Sequence, residues 1–551
     1  MTESEQSDSS SFAPFRRPVF RALWVANVVS SFGWLVQGVG AAWLMTLLTD
    51  SADMVALVQT AITLPVMLFS LMSGAIADNF DRRRVMLVAQ LGMLSVSITL
   101  MVLAYAGLIT PWILLFLSFL LGCGVAFNNP SWQASVGDIV PKSEVPAAVL
   151  LNGAGFNVIR SVAPAIGGII VALSGAAAAF AVNAVSYLGL IGVLRWWQKS
   201  EAMPERAHPP EQLGPAMTAG VRYVGLSPRI SRVLVRAFAY GFTCIVILAL
   251  LPIIVRDQLG GSAVTFGVLL GAYGVGAVLG ALGARRLTSR VSREQLVRLM
   301  FAAFAVTSVV TALSQSPWIT GLAMILGGAA WVVCLSQLNT VVQLSTPRWV
   351  VGRALSLYQM ALFAGMAIGS WVWGSLADNA DVQTALLAAA AGMGVGALVG
   401  LFLPLLPHAE MNLDPLNRWR APEVALEIEP RTGPVAVSIA YRIPVTHAEH
   451  FQVLMQKRRT VLRRNGASSW TLSRDLADPM LWTERLELPT WVDYLRFHER
   501  TTHDDAELSA SIRALHEGDA PPSITRAIIR DPARSRVNPV RATWVDDQRR
   551  N

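Results

Sequence analysis

The chain has 551 residues, of which 53% are hydrophobic and only 15% are charged. A chain this long and this apolar, with a mean hydropathy of +0.48, is not one soluble domain, and the composition predicts a polytopic membrane protein. The formal net charge of +8 comes mostly from arginines in short loops, where membrane topology explains them, so we predict no nucleic-acid function.

The start of the chain and the cysteines predict little chemistry. Residues 1–13 are rich in serine and acidic, unlike a signal peptide, and we expect residues 1–18 to be a disordered cytoplasmic tail. Cys123, Cys244 and Cys334 lie inside apolar runs, so we predict neither disulfides nor a metal site, and no cofactor.

Twelve segments reach the length of about 20 apolar residues that a bilayer core of about 30 Å requires. They lie at about 22–48, 54–77, 85–107, 111–136, 147–173, 177–197, 231–254, 263–284, 297–314, 318–344, 354–376 and 383–406. We expect two six-helix bundles, residues 19–197 and 231–407.

The segment Gly74 to Arg84 (GAIADNFDRRR) orients these helices. Its three consecutive arginines mark the cytoplasmic side of a membrane protein, and most other loop arginines then fall on the same side. Arg256 is the visible exception. The asymmetry predicts an even number of spans, with both termini in the cytoplasm.

The spacing of Gly74, Asp78, Arg82 and Arg83 resembles the loop between helices 2 and 3 of the major facilitator superfamily. Asp81, running into the arginines, is similar to the exporter branch that includes enterobactin and macrolide efflux proteins. The resemblance implies an all-α fold of six plus six helices in the inner membrane of a bacterium. Such a protein transports a small molecule across the lipid bilayer by alternating access, with a proton as coupling ion.

The two halves repeat, as this architecture requires. Aligning Pro141 with Pro347 brings four further pairs into register without a gap: Gln133 with Asn339, Ala148 with Ala354, Asn152 with Tyr358 and Gly168 with Gly374.

Two further regions lie outside the bundles. Residues 198–230 form a linker whose second part predicts an amphipathic helix on the inner leaflet, or else a simple tether. After a second linker, residues 408–433, the order of strands and helices in 434–531 predicts an α+β ferredoxin-like domain, followed by a tail at 532–551. The sequence GASSWTLSRDLADP (Gly466 to Pro479) is similar to antibiotic-biosynthesis-monooxygenase-like domains, and the exporters called transmembrane secretion effectors carry such a tail.

The resemblance implies a gate built from Gly74, Asp78, Asp81, Arg82 and Arg83. Asp78 would face the positive N-terminus of helix 11 and act as a latch when the inner gate closes. The alternative is that the arginines only set topology and Asp78 neutralises them. In the second half the equivalent of Asp78 falls near Leu287, so one latch is complete.

Arg160 is the strongest candidate for a substrate site. It lies in the middle of the fifth segment, one turn after Asn157, where a charge should face the bundle or a wet cavity. The alternative is an arginine that only fixes helix packing.

In the resembled family helices 1, 4, 7 and 10 line the cavity, and each carries a polar or aromatic stripe here. The candidate cavity residues are Asn27, Trp34, Gln37, Asn129, Trp132, Gln133, Tyr240, Asn339 and Gln343. Amides and aromatic rings suit a neutral or amphipathic substrate. The twelve predicted spans contain no Asp or Glu, so proton coupling rests on the resemblance.

We therefore predict a secondary active exporter of small hydrophobic or amphipathic compounds, such as drugs, siderophores or secondary metabolites, and not an enzyme. Two alternatives remain: an importer of a small organic solute, and a membrane anchor for an enzymatic tail. His447 and His450 in the tail lack a third metal ligand. We expect the tail to sense a ligand or to mediate self-association.

Overall fold

The computed structural model describes residues 12–141, 143–197, 213–405, 412–414, 416, 424–426, 428–518 and 520–530. The expected tails at 1–11 and 532–551, the first part of the linker at 198–212 and half of 408–433 lie outside this range. The side chains of residues 75, 77–79, 213, 215, 216 and 285 also lie outside it.

Within the described residues, eleven helices are long and apolar enough to cross a membrane. They are α1 (Pro18–Leu48), α2 (Ala52–Asn79), α3 (Arg82–Tyr105), α4 (Pro111–Ile139), α5 (Val145–Trp196), α7 (Pro228–Ile253, continued by a π-helix at Ile254–Gln258), α8 (Ala263–Thr288), α9 (Arg293–Leu313), α10 (Pro317–Leu344), α11 (Val351–Asn379) and α12 (Val382–Phe402). A short helix, α6 (Leu213–Gly225), lies between the two halves.

The helix α5 is two membrane spans joined at Gly175, whose φ of 74° and ψ of 175° are not helical. Its contacts with α1 advance along α1 before Gly175 and retreat after it: Trp24 with Gly155, Val36 with Gly167, Gly40 with Ala179 and Gly33 with Ser186. The chain therefore reverses direction at Gly175. Counting the arms 145–174 and 176–196 separately turns the eleven helices into the twelve expected spans.

Side-chain caps fix where several helices begin. Ser51 accepts a hydrogen bond from the amide of Met54 at the start of α2, and Thr110 caps α4 in the same way. Ser292 and Gln295 form a reciprocal capping box at the start of α9. These caps satisfy backbone donors that the first turn of a helix leaves unpaired.

The two halves meet along two helix pairs, α2 with α11 and the first arm of α5 with α8. Gly168 lies against Ala263 in the first turn of α8, and Gly374 lies against Asp53 in the first turn of α2. The residues that the sequence repeat aligns therefore occupy equivalent places. This is the major facilitator architecture of six plus six helices.

The soluble domain contains a four-stranded antiparallel sheet in the order β2-β3-β1-β4. Its elements are β1 (Val435–Arg442), α13 (Ala448–Asn465), β2 (Ser469–Arg474), β3 (Leu481–Leu488), α14 (Trp491–Glu499), α15 (His503–Arg513) and β4 (Ser523–Ile528). The order is the expected split βαβ arrangement. Two helices, α14 and α15, follow β3, because Thr502 starts a new helix with a capping box to Asp505.

Candidate functional site

The centre of the interface between the halves is shaped by glycines on one face of α8. Gly267, Gly271 and Gly274 allow the backbone of α5 to approach closely, and a Cβ added to Gly274 would lie 2.6 Å from the carbonyl oxygen of Arg160. Because any side chain there would push the helices apart, these glycines hold Arg160 against α8.

The side chain of Arg160 crosses from the N-terminal to the C-terminal half. Its guanidinium carbon lies 5.6 Å from the ring centroid of Tyr273 on α8 and 5.9 Å from that of Trp331 on α10. Among the described residues, no carboxylate pairs with Arg160. Cation–π contacts provide its favourable surroundings, and they leave the N–H groups of the guanidinium available to a ligand.

An aromatic cluster supports these rings from the C-terminal half. Tyr240 on α7 stacks on Trp331 at 6.0 Å between centroids and meets Phe301 and Phe304 edge to face. Within the described part of the chain, the buried hydroxyls of Tyr240 and Tyr273 have no hydrogen-bond partner. Two unpaired donors near an unpaired cation make a site that is suited to an oxygen-bearing ligand.

The other cavity candidates differ in how far their side chains are exposed. Asn129 and Gln133 on α4 and Gln343 on α10 are exposed, and Gln343 donates to Asn339 one turn earlier. The side chains of Asn27, Trp34 and Asn157 are partly buried.

Gln37 and Trp132 lie inside the N-terminal bundle and do not join Arg160. Gln37 accepts hydrogen bonds from Ser97 and Asn183 and is 3% exposed. Trp132 packs with Leu23 in a cluster of apolar side chains of the same bundle. These contacts are those of residues that pack helices together, and not of residues that line a cavity. The sequence pattern places both side chains on a polar face of their helix but does not show which neighbouring helix that face contacts.

The arginine motif ties together helices of the N-terminal half. Arg82 donates to the carbonyl oxygen of Ala134 at 2.7 Å and to the carboxylate of Asp138 at 3.0 Å. Arg83 donates to the carbonyl of Leu194 at 2.6 Å. Both arginines thus reach the carbonyl ends of neighbouring helices, where a cation is favoured.

The remaining motif residues mark helix ends. Asp81 caps α3 by accepting from the amide of Arg83 at 3.0 Å. Gly74 approaches α11, where an added Cβ would lie 3.2 Å from Ser356 Oγ. Asp78 lies near the end of α2, and its side chain is outside the described residues.

We call the membrane face that carries Arg82–Arg84 the arginine face, and the opposite one the far face. On the far face, Arg256 and Asp378 of the C-terminal half contact the N-terminal half. Arg256 donates to the carbonyl of Thr46 at the end of α1 at 2.6 Å. Asp378 at the end of α11 accepts from Ser51 Oγ at 3.0 Å and from the amide of Ala52 at 2.9 Å. The structure therefore has its halves joined at the far face.

Carboxylates lie in the membrane helices just outside the twelve predicted apolar spans. Glu294, in the first turn of α9, pairs with the fully buried Arg236 of α7 at 3.0 Å. Asp53 lies in the first turn of α2. Both residues precede the predicted apolar spans, since the helices begin a few residues before the apolar runs.

The soluble domain docks on the arginine face through a group of four side chains that we call the docking cluster: Tyr223, Trp349, Arg464 and Arg500. Arg464 lies over the ring of Tyr223 at 5.1 Å, Arg500 lies over that of Trp349 at 4.3 Å, and the two rings meet edge to face at 5.6 Å. The linker helix α6 carries Tyr223 and packs on α2, α7, α11 and α13. Its apolar face therefore lies against protein, and not only against the leaflet that the sequence suggested.

The histidines of the tail do not form a metal site in the structure. His447 and His450 are both exposed at the start of α13. Across the described ranges, no three His, Cys, Asp or Glu side chains are grouped so that they could hold a metal ion.

The family model described as "Transmembrane secretion effector" matches residues 9–534, nearly the whole chain including the soluble domain. The chain belongs to the transmembrane secretion effector family. It is thus an integral membrane transporter of the major facilitator type.

Relatives of this secretion effector include named exporters. The multidrug efflux pump Tap of Mycolicibacterium fortuitum is 27% identical over 412 residues, which cover 73% of this chain and 99% of that protein. The enterobactin exporter EntS of Shigella flexneri is 25% identical over 399 residues, covering 70% of this chain and 91% of that protein.

Solved transporters share the fold of the secretion effector at low identity. The nucleoside transporter NupG superposes with a TM-score of 0.55 at 12% identity, covering 70% of this chain and 98% of that one. A bacterial homologue of the lysosomal transporter Spinster, in an inward-facing and occupied conformation, gives a TM-score of 0.54 at 14% identity, covering 71% and 97%.

Proposed function

We propose that this secretion effector exports small amphipathic compounds by alternating access around Arg160. The observation that carries the proposal is Arg160, which lies close to the rings of Tyr273 and Trp331 where the two halves meet and pairs with no carboxylate among the described residues. Placing a charged side chain at the centre of a membrane costs about 2.5 to 3.5 kcal/mol, and such residues typically lie on the path of a substrate or an ion. The names of the relatives Tap and EntS support the outward direction.

The surroundings of Arg160 indicate the chemistry of the substrate. Aromatic rings on α7, α8 and α10 favour a flat apolar body, and the guanidinium favours an acidic or strongly hydrogen-bond-accepting group. We therefore infer an amphipathic substrate with one such group, for which Asn129, Gln133 and Asn339 supply further hydrogen bonds.

Orientation and coupling complete the proposal. With the arginine face in the cytoplasm of a bacterium, the termini lie inside and the helices span the inner membrane. We infer proton antiport, and the carboxylates of Glu294 and Asp53 offer protonation sites within the helices. The soluble domain then serves regulation or self-association rather than catalysis.

Flux into inverted vesicles tests the proposal. Fluorescent compounds should accumulate with wild-type protein, Arg160→Ala should reduce the rate at least about tenfold, and Arg160→Lys should recover part of it. An acidic dye and its methyl ester form a matched pair, and only transport of the acid should depend strongly on Arg160. Equal rates for wild type and Arg160→Ala would refute the site, and flux that ignores a collapsed pH gradient would refute antiport.

A further inference from the structure

An eight-residue pattern occurs twice in the chain, at the ends of two helices. Residues Gly74–Asp81 read GAIADNFD and residues Gly374–Asp381 read GSLADNAD, so both follow G-x-(I/L)-A-D-N-x-D. The first copy joins α2 to α3 and the second joins α11 to α12. The last aspartate of each copy caps the following helix, Asp81 through the amide of Arg83 and Asp381 through that of Thr384.

The other aspartate of the second copy contacts the opposite half of the protein. Asp378 accepts hydrogen bonds from Ser51 Oγ and from the amide of Ala52, which lie at the N-terminus of α2. An ionised carboxylate at this position satisfies an unpaired backbone donor and opposes the positive end of the helix dipole.

The packing of α2 against α11 makes the two copies equivalent. Gly374 lies against the start of α2, and Gly74 approaches Ser356 near the start of α11, so each helix ends beside the beginning of the other. The N-cap residue of α11, Val350, offers no side-chain cap of its own. The first copy therefore ends where a carboxylate could cap α11, as Asp378 caps α2.

We propose that Asp378 is a gate latch, which holds the far face closed in the state described here. This inference rests on the alternating access of the proposed function. Because Asp378 joins the end of α11 to the start of α2, its loss should favour the state in which the far face is open.

Cysteine labelling of the full chain measures the state directly. Ala56 is fully buried on α2, where it lies beside Gly374 at the far face. An Ala56→Cys reporter should react with a membrane-impermeant maleimide only when the far gate opens. Adding Asp378→Asn should raise the labelling rate about tenfold, and Asp378→Glu should restore part of the wild-type rate.

Asp381→Asn is the matched control, because it removes a carboxylate of the same motif but retains a residue able to cap α12. It should leave the labelling rate unchanged. An unchanged rate in Asp378→Asn, or an equal rise in Asp381→Asn, would overturn the latch. Asp378→Ser repeats the test if the asparagine variant does not fold. Labelling that shifts as expected in a protein that moves no compound would retain the latch and reject the export proposal.

Discussion

The guanidinium carbon of Arg500 lies 4.3 Å from the ring centroid of Trp349, so a cation of the soluble domain covers the loop between α10 and α11. Arg500 also donates to the carbonyl of Asn465, which fixes its direction. The docking cluster thus connects the soluble domain to the loop that precedes α11, the helix that pairs with α2 across the two halves.

Removing the docking cluster should release α6. Cation–π contacts contribute about 0.5 to 2 kcal/mol each, so Arg500→Ala combined with Arg464→Ala should speed amide exchange in residues 213–225 about tenfold or more. The control is Arg459→Ala, since Arg459 lies over Trp470 within the soluble domain at 5.8 Å. Equal protection of α6 in the double variant and the wild type would contradict the docking.

The reversal between the two arms of α5 should require glycine at position 175. Its φ of 74° with ψ of 175° lies in a region that only glycine adopts easily, so Gly175→Ala should destabilise the protein by about 1 to 3 kcal/mol. Gly189 is an exposed helical glycine with equally open space around it, and Gly189→Ala should be neutral or stabilising. The thermal midpoints of the two purified variants in detergent provide the comparison.

The soluble domain should depend on the pairing of Glu484, which is fully buried. Its carboxylate accepts from Arg458 at 2.8 Å, from the hydroxyl of Tyr441 and from the indole of Trp470. Arg458→Ala leaves this charge unbalanced and should destabilise the domain by about 3 to 5 kcal/mol. Limited proteolysis of the full chain should then cleave residues 434–530 much faster.

A surface pair gives the matched control for that experiment. Arg485 and Glu487 are partly exposed at 3.2 Å, and Arg485→Ala should change stability by less than about 1 kcal/mol. Similar protease sensitivity in Arg458→Ala and Arg485→Ala would show that the buried pair contributes no more than a surface one.

The stability of the soluble domain should fall as the pH drops. Burial and the nearby cations Arg526 and Arg458 lower the pKa of His498 from 6.5 to about 4. Between these values the unfolded chain binds a proton that the folded domain does not. Above about pH 6.5 the neutral His498 leaves the free energy of unfolding of the domain at its full value. As the pH falls to about 4, that free energy decreases by about 3 kcal/mol.

Proteolysis of the full chain at pH 7 and pH 5 measures this loss. His498→Gln, which cannot take up the proton, should reduce the difference between the two pH values. If His498→Gln and wild type lost protection equally on acidification, another group would be responsible.

The membrane spans could be predicted from sequence because a bilayer demands a fixed length of apolar residues. The helix ends could not, since Asp53, Glu294 and Asp378 lie just beyond the apolar runs and are held by caps and cross-helix contacts. Gln37 illustrates a further limit, because polar periodicity is the same for a cavity-facing amide and for one that bonds Asn183 inside a bundle.

The sequence indicates Arg160 as a candidate because a charged residue within an apolar run must face the bundle interior or a wet cavity. Its aromatic partners Tyr273 and Trp331 come from two other helices, and only the folded structure brings them together. The docking cluster likewise could not be predicted from the sequence, because its members come from α6, a loop and two parts of the soluble domain and meet only in the folded protein.

The linker helix α6 touches α2 from one half of the transporter and α11 from the other, and its remaining face meets α13 of the soluble domain. A nanobody that binds α6 and α13 together from the aqueous side would therefore hold α6 in place against both halves of the transporter. Such a nanobody would stop the relative movement of the two halves without entering the bilayer or competing with the substrate.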